Sequence, residues 1–172
     1  VSIAGESLSF KPAALSETLA AAGGGMPAEL TLVIKGTMSR SKDPVSYANT
    51  VPIKWRLSSD DYIDLIISTY DTHTGRPYFR INSGGTKSEV SGENVAYEIG
   101  VEHGFSLAMV IGGSLVEGFY NGAATGQTSI SALPDLLGVP WEIFPTGAAA
   151  TVQEFLVWPE ALPVPQLQAA TA

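Results

Sequence analysis

Apolar and polar residues alternate along most of the chain, the period of two that a strand acquires when one of its faces is buried. "ELTLVIKGTM" sets Leu30, Leu32, Ile34 and Met38 on one side against Thr31, Lys35 and Thr37 on the other. "VPIKWRL" opposes Val51, Ile53, Trp55 and Leu57 to Lys54 and Arg56. After the polar turn "SSDD", "YIDLIIST" turns Ile63, Leu65 and Ile67 inward; "DTHTG" turns again, and "RPYFRI" continues with Phe79 and Ile81. "FSLAMVI" and "SLVEGFY" read as a hairpin closed at Gly112 and Gly113, residues free to take the positive φ of a tight turn. "NSGGTKS" reads as another hairpin loop. "NGAATGQTSISALPDLLGVP" reads as a long turn-rich connection, "WEIFP" as a short strand, "TGAAA" as a loop and "TVQEFLVW" as the last strand. Helical signals are confined to "PAALSETLAAA", ended by glycines, and to a short turn at "PQLQAAT". The pattern predicts an all-β antiparallel sandwich with short helical turns.

Composition bounds what such a sandwich can do. The 172 residues suit a single domain, 1–172, able to bury its own core. Cysteine is absent, which removes disulfide frameworks and thiolate metal sites. A net charge of −8 with only 9 Lys plus Arg argues against a nucleic-acid partner. The longest apolar stretch, Phe105 to Val116, is interrupted by glycines and too short to cross a bilayer as a helix, so no membrane partner is expected. "VSIAGESLSF" has neither the basic region nor the apolar core of a secretion signal, and synthesis in the cytoplasm is expected.

The early "LSF" strand, "ELTLVIKGTM", the run of hairpins, "GFSLAMVIGGSLVEGFYNGAA" and the closing "EFLVWPEALPVPQLQ" together resemble the concanavalin A-like lectin/glucanase superfamily. The likeness is to its laminin-G-like jelly rolls, as found on tailed-phage fibre, spike and virion proteins. That resemblance implies a last strand paired back near the first. It also implies a departure from the sheet at Trp158-Pro159, since proline cannot donate to a ladder. It implies location on a virion, contacts with other virion subunits and a homo-oligomer such as a trimer.

Catalytic motifs are weak. The superfamily's glucanases resemble one another in a Glu-x-Asp-x-(x)-Glu strand that sets two carboxylates on one face. Here "EIGVE" places Glu98 and Glu102 at the spacing of one strand face but lacks the central Asp, and no enzymatic activity is expected. "GGSLV" departs from the Gly-x-Ser-x-Gly elbow at its last position, leaving Ser114 a turn residue. His73 and His103 are isolated and lack metal-ligand spacing. No cofactor is expected; loop calcium through Asp43, Asp60, Asp61 or Asp71 is compatible with the composition but unsupported by a motif.

A glycan site needs an aromatic ring for the sugar's apolar face and planar hydrogen-bonding groups around it. Outward parity on the middle hairpins selects Lys54, Arg56, Tyr62, Asp64, Tyr78 and Arg80, with Tyr70, His73 and Arg76 at the rim. The alternative is an ordinary polar sheet face, with Tyr62 and Tyr78 covering cross-strand neighbours. The resulting expectation is a non-catalytic module binding a host-surface polysaccharide or glycan from a phage tail fibre, spike or head appendage. The alternatives are a structural virion decoration or joining protein without glycan binding and, further off, a glycoside hydrolase.

Overall fold

The computed structural model describes residues 2–3, 8–10, 26–39, 50–68, 75–95, 98, 100–144 and 149–172. The Ala-rich "PAALSETLAAA" stretch and most of the "DTHTG" and "TGAAA" connections lie outside these residues. Within them the strands are β1 (Ser2–Ile3), β2 (Leu8–Phe10), β3 (Leu30–Ser39), β4 (Thr50–Arg56), β5 (Tyr62–Ile67) and β6 (Pro77–Ser83). They continue as β7 (Thr86–Ser91), β8 (Glu102–Gly112), β9 (Leu115–Tyr120), β10 (Ala123–Ser129), β11 (Trp141–Ile143) and β12 (Ala149–Trp158), followed by helix α1 (Val164–Thr171).

The strands form two 6-stranded sheets, ordered β1-β12-β3-β8-β9-β10 and β2-β11-β4-β5-β6-β7. Every ladder is antiparallel. The protein is therefore an antiparallel β-sandwich, and the first strand does pair with the last, Ser2 opposite Thr151.

The inner faces are those the alternation marked. Leu30, Leu32, Ile34 and Met38 of β3 meet Ile53, Trp55, Ile63, Leu65, Phe79 and Ile81 of the other sheet in one continuous core. Trp55 and Trp141, opposite each other on β4 and β11, stack at 4.0 Å between ring centroids, and Phe155 meets Trp141 edge-on from the facing sheet. Trp55 also donates its indole N–H to the Val139 carbonyl at 3.1 Å, so its polar edge is satisfied inside the core. Gly118 is bare for a reason: a Cβ there would lie 2.3 Å from Phe79 Cδ2.

Some local expectations need correction. The β8–β9 turn is Gly113-Ser114 rather than Gly112-Gly113; Gly112 still belongs to β8, and Gly113 alone takes the positive φ of 57°. Leu57 is 61% exposed because its N–H, with that of Ser58, bonds to the Asp61 carbonyl and starts the turn. Val51 is only half-buried and Pro52 buried, because the β4–β5 register slips between Thr50 and Ile53, which shifts the parity of everything before it. The connection after Tyr120 contains a strand, β10, lying at the sheet edge. Its residues are small or polar and mostly exposed, and a bulge occurs at Thr125, so it carries no apolar alternation to read.

The other two faces of the sandwich differ. Helix α1 lies on the outside of the first sheet, Leu167 packing with Val33, Ala108, Val110 and Phe119. The chain reaches it through Pro159, and Thr31 holds that exit: its hydroxyl donates to the Glu160 carbonyl at 2.7 Å and accepts from the Leu162 N–H at 3.0 Å. The outside of the second sheet carries the polar side chains of β4 to β7.

Candidate functional site

The ladder register brings Lys54, Arg56, Tyr62, Asp64, Tyr78 and Arg80 onto the outer face of the second sheet. Lys54 faces Asp64, Asp64 faces Arg80, and Arg80 faces Glu89, while Glu142 of β11 stands opposite Lys54. The result is a row of alternating charge across β11, β4, β5, β6 and β7. Arg76, just before β6, shares the parity of Tyr78 and Arg80. Tyr70 and His73 lie outside the described residues.

The charges in this row are mutually engaged. Lys54 Nζ lies 2.8 Å from Glu142 Oε2, and Arg56 Nη2 donates diagonally to Asp64 Oδ2 at 2.6 Å. Arg80 Nε donates to Glu89 Oε2, and Lys87 Nζ approaches the same oxygen at 2.9 Å. The sequence pattern singles out neither Glu89 nor Glu142. The strand "WEIFP" was legible, but its neighbour in the sheet was not, so the carboxylate opposite Lys54 had no assigned position.

Rings and guanidinium groups are layered on this face. Arg56 lies over the Tyr62 ring at 4.2 Å from its centroid, and Tyr62 is thereby a buried ring rather than an open platform. Tyr78 is flanked by Arg76 at 5.5 Å and Arg80 at 5.0 Å. Arg76 donates to Ser91 Oγ at 3.0 Å, its Nε has no hydrogen-bond partner, and no carboxylate among the described residues forms an ion pair with it. Arg56 and Arg80, by contrast, are each paired with a carboxylate, Asp64 and Glu89.

The two central carboxylates respond oppositely. Burial pushes Asp64 above the usual carboxylate range, despite its hydrogen bond to Arg56 and the nearby charges of Lys54 and Arg80. Burial acts in the same sense on Glu89, but hydrogen bonds and charge from Lys87 and Arg80 outweigh it and hold that carboxyl below its usual range.

The acidic residues weighed for catalysis or metal binding are not brought together among the described residues. Glu102 opens β8, whereas Glu98 precedes a turn at Gly100, so the two do not share a strand face. The Glu98 N–H donates to His103 Nε2 at 3.0 Å. Asp60 and Asp61 serve the β4–β5 and β6–β7 turns: the Asp61 carboxylate accepts from the Gly84 N–H at 3.0 Å and the Asp60 carbonyl from the Gly85 N–H at 3.0 Å. Asp43 and Asp71 lie outside the described residues, and among the rest no cluster of three His, Cys, Asp or Glu is arranged to hold a metal.

Solved structures share this two-layered antiparallel architecture. A carbohydrate-binding module, the CBM40 of the Ruminococcus gnavus IT-sialidase bound to α2,6-sialyllactose, matches with a TM-score of 0.68 at 14% identity, over 100% of this chain and 96% of that one. The fold is a lectin-like jelly roll. The heptameric SAP-like pentraxin of Limulus polyphemus matches at 0.63 with 12% identity, over 99% of this chain and 80% of that one. The binding domain of botulinum neurotoxin DC, in complex with SialylT, matches at 0.62 with 8% identity, over 84% of this chain and 35% of that one. No family model and no curated protein matches the sequence.

Proposed function

We propose that the protein is a non-catalytic carbohydrate-binding module whose ligand lies on the outer face of β6 and β7, around Arg76, Tyr78 and Ser91. The observation that carries this reading is the Arg76–Tyr78–Arg80 layer, in which planar guanidinium groups flank an aromatic ring. Guanidinium donors in a fixed plane suit the hydroxyls or carboxylate of a sugar, and no carboxylate among the described residues pairs with Arg76. Lectin-like neighbours crystallised with sialylated ligands support carbohydrate recognition as the class of function.

The finer reading is attachment to a host-surface polysaccharide by a phage fibre, spike or head appendage. Its support is the sequence pattern ending in "WPEALPVPQLQ". Weak single contacts would then gain avidity from repeated copies, as in a homo-oligomer such as a trimer or an array anchored on other virion subunits. A structural decoration role is favoured by a different observation, the internal pairing of Lys54, Arg56, Arg80 and Lys87 with Glu142, Asp64 and Glu89, which leaves little unsatisfied charge for a ligand.

Glycan-array screening of the purified chain, followed by titration of any hit, separates the readings. Binding by the parent that is lost in Arg76→Ala and Tyr78→Ala, with melting transitions retained, supports the site. A parent that binds no glycan leaves the decoration role in its place.

A further inference from the structure

On the opposite side of the sandwich, where α1 ends, a cleft of about 340 Å³ opens between β3, β8, β12 and the β9–β10 turn. Its lining includes Lys35, Gly104, Ser106, Asn121 and Gln153. It shares none of the residues of the Arg76–Tyr78 face.

Ser106 is the informative group. Only 6% of the residue is exposed, yet its Oγ has no hydrogen-bond partner, and the residue borders the cleft. A buried hydroxyl without a partner costs stability, so its retention beside an opening points to a ligand that completes it. The backbone around it is fixed. Ser106 N–H donates to Asn121 Oδ1 at 2.8 Å and Asn121 N–H to the Ser106 carbonyl at 2.9 Å. With Oδ1 so engaged, Asn121 offers the cleft its amide NH2 group. Gln153 is the extra residue of the bulge between Val152 and Glu154, exposed at the rim.

The space itself is made by Gly104. It lies on the outer parity beside Ser106, and a Cβ there would meet nothing within 4 Å. The charge is balanced as well, since Lys35 Nζ stands 4.0 Å from Glu154 Oε2 and 3.4 Å from the Ala172 carbonyl. A phosphate or carboxylate finds no unengaged cation, and the cleft offers no pair of aromatic walls for a nucleobase. Hydroxyl and amide groups that both donate and accept, in a volume at the small end of ligand sites, fit a compact neutral polyol.

We infer that this cleft is a second binding site, for a neutral sugar unit, with Ser106 and Asn121 as its inner hydrogen-bonding pair. The test is a titration of the isotopically labelled chain with D-glucose, D-galactose, D-mannose and N-acetylglucosamine, followed by amide NMR. The expected result is saturable shifts at residues 35–37, 104–106, 121 and 153 with at least one sugar. Gly104→Leu should fill the cleft and abolish them while the melting transition is kept. Ser106→Ala should weaken binding by about tenfold, the effect of one lost hydrogen bond, without lowering the melting temperature. Arg76→Ala and Tyr78→Ala should leave these shifts unchanged, which separates this site from the opposite face. Absence of saturable shifts there with every sugar overturns the inference, as do shifts that persist undiminished in both Gly104→Leu and Ser106→Ala.

Discussion

Asp64 binds Arg56 diagonally across the β4–β5 ladder at 2.6 Å, rather than the Lys54 that faces it directly. Lys54 turns instead toward Glu142 on the other side. The choice leaves one Asp64 oxygen, Oδ1, buried without a partner.

Opposite pH contributions follow for Asp64 and Glu89. Because folding raises the Asp64 pKa, the stability linked to its protonation is fully present below the unfolded value and is lost as pH rises through the folded one. Glu89 is lowered, so its contribution is present above the unfolded value and is lost as pH falls through the folded one. Denaturant melts across the carboxylate range should therefore show Asp64→Asn gaining on the parent as pH rises toward neutrality. Glu89→Gln should lose ground over the same interval.

Gly118 should not tolerate a side chain. Gly118→Ala places a methyl against the Phe79 ring and Thr125 Oγ1 at under 3 Å, an overpacking expected to cost about 1–3 kcal/mol. Phe79→Leu in the same chain should recover part of that loss. Chemical denaturation of the two single variants and the double variant measures the coupling.

Thr31→Val preserves shape and removes both bonds that hold the proline exit. The Glu160 carbonyl and Leu162 N–H lose their partner, at an expected cost of about 1–3 kcal/mol. Hydrogen exchange should show the loss concentrated in α1 and the segment leading to it, with β4 to β7 little affected.

Lys54→Ala is expected to be nearly neutral. Both partners of the Lys54–Glu142 pair are about a third exposed, a setting in which such pairs contribute about 0–1 kcal/mol. A thermal melt that falls as far as that of Gly118→Ala would contradict this.

Periodicity in the sequence marks most inner strand faces, because Ile63, Phe79 and Ile81 alternate with polar or amphipathic residues and each is buried. It failed where packing is not recorded as alternation. The edge strand β10 is small and polar on both sides, and β4 changes parity at the Pro52 bulge. For the polar face, the residue set was legible but its state was not. Parity placed Tyr62 outward, while only the fold shows Arg56 lying over it. Ser106 was hidden for a related reason: it sits in an apolar strand, and the cleft beside it depends on Asn121 and Gln153, which lie far from it in sequence.

The strands at the sheet boundaries set how copies can be arranged. β1 and β2 are only 2 and 3 residues long, β7 presents Lys87 and Glu89, and β10 is bent by its bulge at Thr125. Ser88 of β7 also donates to the Ser129 carbonyl of β10 at 2.8 Å, tying the two sheets together along that border. Short, charged or bent borders are poor templates for strand addition from another chain. Copies of such a domain can crowd side by side without the sheets of one fusing into those of the next.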